Sequence, residues 1–246
     1  QSGMAGFANS IKLATTRFLA FGIGAGIVIR LAMAFREGLK QAVEFDREMV
    51  KLTQVTNRSM AALQPLVDQI TELSETFGVS SSAMIGMTRI LKQTGLSVKD
   101  TQIAMKALAM TDLASTFSNM EKTAEGAIAA MRQFNIEAKD LHKVLGAINA
   151  VSKQFAVESD DLITAIRRTG GVFAAAGGQV NELIALFTSV RATTRESAET
   201  IATGLRTIFT RLQRTDTIDQ LKALGIQLQD ASGQFVGAYE AVRRLS

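Results

Sequence analysis

Apolar residues recur every three or four positions along most of the chain, which is the period of an amphipathic helix. One such stripe contains Leu141, Val144, Leu145, Ile148, Val151 and Phe155, and another contains Ile201, Leu205, Ile208 and Leu212. Each stripe needs a partner helix to cover it. The pattern predicts an all-α, multi-helix bundle, with helices near 7–52, 61–77, 81–94, 98–115, 119–134, 138–154, 159–176, 180–191, 194–213, 217–224 and 237–245.

Polar residues mark the ends of the predicted helices. A Ser, Thr or Asp followed three residues later by an acid is typical of a helix start. Four such pairs occur: Ser97 with Asp100, Ser118 with Glu121, Thr193 with Glu196, and Asp216 with Asp219. Residues that enter the left-handed conformation end helices at low cost. They predict stops at Gly78, Gly95, Asn135, Gly177 with Gly178, and Gly225.

Residues 226–236 depart from the helical period. Two brief apolar alternations, at 226–228 and 234–236, flank the turn-like sequence DASG at 230–233. This arrangement predicts one small β-hairpin near the C-terminus, followed by a final short helix.

The most apolar stretch is FLAFGIGAGIVIRLAMAF at residues 18–35, in which Arg30 is the one charged residue. As a helix it would be about 27 Å long, which is borderline for crossing a bilayer. Gly22 and Gly26 have the spacing that lets two helices approach closely. We expect residues 1–58 to form a long apolar and amphipathic helix that enters a membrane or packs as the seam of an oligomer. The alternative is that its apolar part is an ordinary buried helix. The candidate residues are Phe18, Phe21, Gly22, Gly24, Gly26, Ile27, Ile29, Arg30 and Phe35.

The rest of the chain, residues 59–246, contains an internal similarity. Residues 77–89 and 155–167 share apolar, Ser and Arg positions at a constant shift of 78 residues. This similarity predicts two related helical units, at about 60–135 and 136–215, followed by the hairpin and the final helix.

Composition argues against catalysis. The chain has no cysteine and one histidine, His142, which lies within an amphipathic helical pattern. The acidic group of Glu158, Asp160 and Asp161 falls at a predicted helix start, where negative charge offsets the helix dipole. We therefore predict no catalytic residue, no metal site, no cofactor and no enzymatic activity.

Charge indicates no dedicated nucleic-acid surface. The net charge of +4 is spread over the chain, so it creates no concentrated field for phosphate. Arg191, Arg195, Arg206, Arg211 and Arg214 make the later helices locally basic, and a solvated face is the simplest interpretation. This charge is compatible with DNA as a neighbour, and we expect no sequence-specific binding of DNA.

Seven short segments, in this order and spacing, resemble the core of phage tail tape-measure proteins. They span most of residues 60–245 and are LSETFGVSSS (73–82), LKQTGL (91–96), AMRQFN (130–135), SDDLITAIRRTG (159–170), LIALF (183–187), TGLRTIF (203–209) and LGIQLQDASGQF (224–235). The order and the terminal LGI segment carry the resemblance, because each segment alone is weakly specific.

The resemblance implies a structural protein of the virion tail lumen, whose length sets the length of the tail during assembly in the host cytoplasm. It further implies ejection ahead of the genome and help with genome passage across the host inner membrane. The implied partners are the tail tube protein, tail-tip and distal tail proteins, tail assembly chaperones and further copies of the chain in a homo-oligomer. Family members are usually much longer, so we expect this chain to be a fragment of its parent protein.

Two other interpretations of the function remain open. A membrane-permeabilising helical pore-former or toxin would use the apolar stretch at 18–35 to insert without a tail. A helical scaffold or regulatory module would use the same stretch as an oligomer seam and would be a stable soluble oligomer.

Overall fold

The computed structural model describes residues 25–246, and the prediction of an all-α fold is confirmed there. Eleven α-helices lie within these residues, and a short 3-10 turn at Ala138–Asp140 precedes the sixth. The helices are α1 (Ala25–Thr56), α2 (Met60–Phe77), α3 (Ser81–Gln93), α4 (Val98–Asp112), α5 (Met120–Gln133), α6 (Leu141–Gln154), α7 (Ser159–Ala175), α8 (Val180–Thr194), α9 (Ala198–Leu212), α10 (Thr215–Ala223) and α11 (Ala238–Leu245).

The chain divides into two compact units at Val50 and Lys51. In the first unit, the described part is the helix α1 up to Val50. The second unit, Lys51–Ser246, holds the helices α2 to α11 and nearly all of the buried apolar side chains of the described residues.

Alternate helices of the second unit begin at a constant interval. The helices α3, α5, α7 and α9 start at Ser81, Met120, Ser159 and Ala198, each 39 residues after the one before. The shift of 78 residues seen in the sequence equals two of these intervals. A helix pair is therefore the repeating unit of the structure.

These helix pairs stack into two layers. In one layer α3 packs against α5, α5 against α7, and α7 against α9; we call this the front layer. In the other layer α2 packs against α4, α4 against α6, and α6 against α8. Each helix also contacts its neighbour in the chain, so most contacts join one repeat to the next, as in solenoid proteins.

The helices of the front layer run in the same direction. Gly126, in the middle of α5, lies directly against the side chain of Ile163 in the first half of α7. Gln133, at the end of α5, donates from its side-chain amide to the carbonyl of Arg167, four residues after Ile163. Because the contacts advance in the same direction along both helices, α5 and α7 are parallel.

Small and aromatic side chains fill the space between α7 and α9. The Thr169 hydroxyl donates to the carbonyl of Ala202 over 2.8 Å, so the two backbones approach closely there. The rings of Phe173 and Phe209 meet edge to face with their centroids 4.8 Å apart. Both phenylalanines are fully buried, and this pair anchors the last repeat to the array.

The predicted helix starts were partly correct. Ser97 caps α4 by accepting a hydrogen bond from the N–H of Asp100, as predicted. The start predicted at Ser118 was wrong by one residue, because the Asn119 side chain caps α5. The starts at Thr193 and Asp216 were wrong. The Thr193 hydroxyl bonds back into α8 and Ser197 caps the next helix, while α10 already begins at Thr215.

The predicted stops are confirmed, since the backbone enters the left-handed region at Gly78, Gly95, Asn135, Gly177 and Gly225. At Gly78, with φ of 71°, the backbone N–H returns to the carbonyl of Ser74 and closes α2.

The predicted β-hairpin was wrong. Among residues 25–246 no strand forms, and residues 226–236 hold one isolated antiparallel bridge between Gln229 and Phe235. The Asp230 carboxylate organises the turn instead, because it accepts from the backbone N–H groups of Ser232 and Gln234. The arms are too short to extend the ladder before α11 begins.

The C-terminal segment is fixed to the end of α7. The N–H of Ala238, at the start of α11, donates to the carbonyl of Ala176 over 2.8 Å. Leu228 is buried within this segment, as are Ala238 and Ala241. The helix α11 begins 40 residues after α9, close to the 39-residue interval, but its start lies at the carboxyl end of α7. It is therefore not a fifth parallel helix of the layer.

Two residues of the predicted apolar stripes are exposed. Phe155 is 45% exposed and Ile208 is 47% exposed, whereas Leu141, Ile148 and Leu205 are buried as predicted. Ile208 faces away from α7. In the earlier helices of this layer the corresponding side is covered by the next helix, whereas α9 is the last of the four.

Gly126 gives the first test of this packing. A Cβ added there would lie 2.6 Å from Cγ2 of Ile163, which is closer than two carbons can approach. We expect Gly126→Ala to lower the free energy of unfolding by about 1–3 kcal/mol, because α5 and α7 must move apart. Urea denaturation measures the change.

Gly204 is the matched control, since it lies 78 residues later, at the same register in α9. A Cβ added at Gly204 meets no atom within 4 Å. We expect Gly204→Ala to raise the free energy of unfolding by about 0.5–1 kcal/mol, as alanine favours a helix. Equal effects at both positions would contradict the layered packing.

The ion pair between Arg191 and Asp161 gives the second test. Its atoms are 2.9 Å apart, it joins α8 to α7, and its side chains are only 22% and 20% exposed. We expect Arg191→Met to lower the free energy of unfolding by about 1–2 kcal/mol, because a largely buried carboxylate loses its partner. The control is Arg167→Met, which removes the more exposed pair with Glu125 and should cost less than about 1 kcal/mol. The reverse order of the two effects would show that burial does not set their strength.

Candidate interaction surfaces

The predicted membrane or packing segment lies partly outside the described residues. Phe18, Phe21, Gly22 and Gly24 precede residue 25. Gly26, Ile27 and Ile29 lie in the backbone of α1, where Arg30 is exposed and Phe35 is half-buried. The structure therefore places five of the nine candidate residues on one helix.

The prediction of a long apolar N-terminal helix was wrong for the described part of the chain. No helix within residues 25–246 combines the length and the apolar character that crossing a bilayer requires. In α1 the reason is the density of charge after Phe35, where Arg36, Glu37, Lys40 and Glu44 follow within nine residues. This helix is amphipathic over most of its length.

An apolar stripe with a basic edge runs along α1. Leu39, Val43 and Val50 are exposed and lie on one face, with Val43 60% exposed. Arg36, Lys40 and Arg47 border the stripe on one side, and a shallow depression on this face is lined by residues of both kinds. Such a face can contact an apolar surface that carries negative charge.

A second apolar surface is the groove between α6 and α8. It has a volume of about 510 Å³. Val151, Phe155 and Ile184 line it together with small residues such as Ala147 and Ala185. Its polar groups are amides and hydroxyls without a charged side chain, so it is suited to packing apolar side chains and not to acid–base chemistry.

The five arginines of the later helices serve different roles. Arg191 pairs with Asp161, and Arg195 donates to the carbonyl of Ala156. Arg206, Arg211 and Arg214 are exposed and make no ion pair within residues 25–246. The prediction of a solvated face thus describes three of the five.

The titratable groups singled out in the sequence have structural contacts. His142 is exposed, with Nδ1 2.7 Å from the carbonyl of Lys139. Of the acidic group at the start of α7, Asp161 pairs with Arg191, and Asp160 accepts a hydrogen bond from Ser118. Within residues 25–246, no group of His, Asp or Glu side chains is arranged to hold a metal ion.

Shifted pKa values occur in the C-terminal segment. Hydrogen bonds from Arg243 and Arg244 lower the pKa of Glu240 to about 2. The Ser232 hydroxyl and the N–H of Gln234 lower the pKa of Asp230. Both carboxylates stabilise the folded segment above the pKa they would have in the unfolded chain, and this stabilisation is lost as the pH falls through the lowered values.

Sequence reasoning missed two of these surfaces. Arg36, Lys40 and Arg47 follow one another at intervals of four and seven residues, which places them on one helix face. The sequence alone could therefore have predicted the basic edge of α1. The α6–α8 groove could not be predicted in this way. Phe155 continues an apolar stripe in the sequence, and the exposure of its side chain depends on the distance between α6 and α8.

A model of a known protein family matches the helical part of the chain. The family model of the phage-related minor tail proteins matches residues 67–246, which is most of the chain and nearly all of the helical repeats. No solved structure matches the chain. The chain therefore belongs to the phage-related minor tail protein family.

Proposed function

We propose that this phage tail protein is the helical core of a tape-measure protein, a structural component and not an enzyme. The proposal places it in the lumen of the tail, where it contributes to setting tail length during assembly. The observation that carries it is the constant 39-residue interval between front-layer helices in a member of a minor tail family.

A repeat array suits a ruler because its length is additive. Each helix pair packs mainly against its neighbours, so removing or adding a repeat changes the length of the array without changing the contacts of the others. A globular core with contacts between distant segments would not have this property.

The same array suits passage through a narrow tube. Left-handed residues at Gly78, Gly95 and Asn135 end α2, α3 and α5, and contacts lie mostly between adjacent repeats. The repeats can therefore separate one after another. We propose that the chain leaves the tail ahead of the genome in such an opened form and then assists genome passage across the host inner membrane.

The partners in this proposal are the tail tube protein around the array, the tail-tip and distal tail proteins, and assembly chaperones in the host cytoplasm. Genome DNA is a neighbour. Membrane contact is assigned to α1, whose apolar stripe has the cationic edge of Arg36, Lys40 and Arg47. The competing function is a pore-former that acts without a tail, and the exposed stripe is the observation that favours it.

Tail length tests the ruler role. In the phage that encodes this chain, we expect in-frame deletion of residues 120–197, which are two intervals, to shorten the tail. The loss is about 120 Å if the segment lies extended as helix in the tube. It is about 20 Å if the repeats stay folded, since packed helices are about 10 Å apart. Electron microscopy of a large particle population measures the length.

Duplication of residues 120–197 is the opposite variant and should lengthen the tail by the same amount. Gly204→Ala is the control for an effect of mutation alone and should leave the length unchanged. Tails of unchanged length in both the deletion and the duplication would reject a measuring role for this segment.

Membrane contact by α1 is tested with liposomes. We expect the chain to float with vesicles that contain anionic lipid and to release an entrapped dye, and we expect a chain lacking residues 1–58 to do neither. Arg36→Glu combined with Lys40→Glu should reduce flotation, because the cationic edge then repels the lipid. Binding by the truncated chain would assign the contact to another surface, and binding by neither chain would leave α1 as a packing seam.

A further inference from the structure

The front layer carries an acidic row near the starts of its helices. Glu121 in α5, Asp160 in α7 and Glu199 in α9 are each 39 residues apart, so they occupy the same position in successive repeats. Glu121 and Glu199 are exposed and Asp160 is half-buried. Since the helices are parallel and packed, the three carboxylates form a line across the layer.

An arginine band crosses the same helices closer to their ends. It consists of Arg132 in α5, Arg167 and Arg168 in α7, and Arg206 in α9, all of which are exposed. Arg167 and Arg206 are again 39 residues apart. Glu125 pairs with Arg167, whereas Arg168 and Arg206 make no ion pair within the described part of the chain.

The two bands share one face of the layer. Asp160 and Arg167 are separated by seven residues, as are Glu199 and Arg206, and seven residues are close to two full turns. Glu121 and Arg132 are eleven residues apart, which is close to three turns. The bands therefore run side by side, about 11–16 Å apart along the helix axes.

We propose that the front layer is a self-complementary surface that binds a second copy of this chain. A two-fold axis in the plane of the layer, perpendicular to the helices, reverses the helix direction of the second copy. The acidic row of each copy then lies over the arginine band of the other, and α9 meets α9 antiparallel. One rotation thus matches both bands at once, which is the requirement for an isologous interface.

The charge pattern favours a second copy over nucleic acid. A duplex placed along the arginine band is about 20 Å wide, so its phosphates would also lie over the acidic row, within reach of its repulsion. A second copy presents negative charge over the arginines and positive charge over the acids. Complementary charge of this kind sets orientation and excludes other partners.

The size of the surface fits a stable pair. Four helices about 10 Å wide and about 20 Å long present about 800 Å², which is the area that each partner buries in a standard interface. Half-buried apolar side chains, including Ile90, Ile128 and Val172, lie among the charges. This inference does not depend on the proposed role in the tail.

Charge reversal tests it in the full chain. One variant combines Arg168→Glu with Arg206→Glu, which leaves Arg132 and Arg167 beside two glutamates and so removes the net positive charge of the arginine band. Another combines Glu121→Lys with Glu199→Lys, which leaves Asp160 beside two lysines and gives the former acidic row a net positive charge. We expect the unchanged chain to dimerise at low salt in sedimentation equilibrium, and each variant alone to lose at least about 100-fold in dimer affinity. An equimolar mixture of the two variants should dimerise again, because the unchanged acidic row of the first variant then lies over the unchanged arginine band of the second.

The mixture also shows that both variants are folded, since only intact surfaces can pair. The matched control is Lys106→Glu combined with Lys153→Glu, which changes the charge by the same amount on exposed residues of α4 and α6 and should leave dimerisation unchanged. A chain that stays monomeric at low salt would overturn the proposal, and so would dimers that survive in both variants. Binding of a DNA duplex that depends on Arg168 and Arg206 in a monomeric chain would assign the band to a polyanion instead.

Discussion

Close approach of parallel helices in the front layer is the interaction on which the rest of the second unit depends. It is possible because small residues lie where the backbones meet: Gly126 accepts the side chain of Ile163, and Thr169 reaches the carbonyl of Ala202. At this distance dispersion and apolar burial are gained along the length of each helix. The second layer packs beneath and contributes the buried stripes of α4 and α6. Larger side chains at these crossing points would separate the helices and weaken every contact beyond them.

The sequence was informative where local physics decides the structure. The helical period predicted most helices because amphipathic stripes act over a few residues, and glycine and asparagine predicted the stops because they tolerate positive φ. Caps were less predictable, since Ser118 and Asn119 compete for one position. The 39-residue interval was seen only as its double, because α4, α6 and α8 start at irregular intervals and obscure the shorter period. The hairpin prediction failed because the arms around Asp230 are too short for more than one bridge before α11 begins.

The surfaces were harder to predict than the fold, since exposure depends on the distance between elements that the sequence does not encode locally. The apolar stretch at 18–35 led to the prediction of a membrane or packing segment near the N-terminus. The described part of α1 is mainly a charged, amphipathic helix. The row of Glu121, Asp160 and Glu199 becomes meaningful only once the three helices are known to be parallel. Membership of the minor tail family then places these surfaces on a protein of the phage tail.

Packing between adjacent repeats also determines how this chain reaches its structure. Because most contacts join segments close in sequence, little loop entropy must be lost before packing is gained, and such topologies fold rapidly. Each helix pair can be completed while the following residues are still being translated. The hydrogen bond from Ala238 to Ala176 spans more than a full interval and closes last. Synthesis therefore proceeds with little apolar surface exposed at any moment, which limits aggregation of the newly made chain.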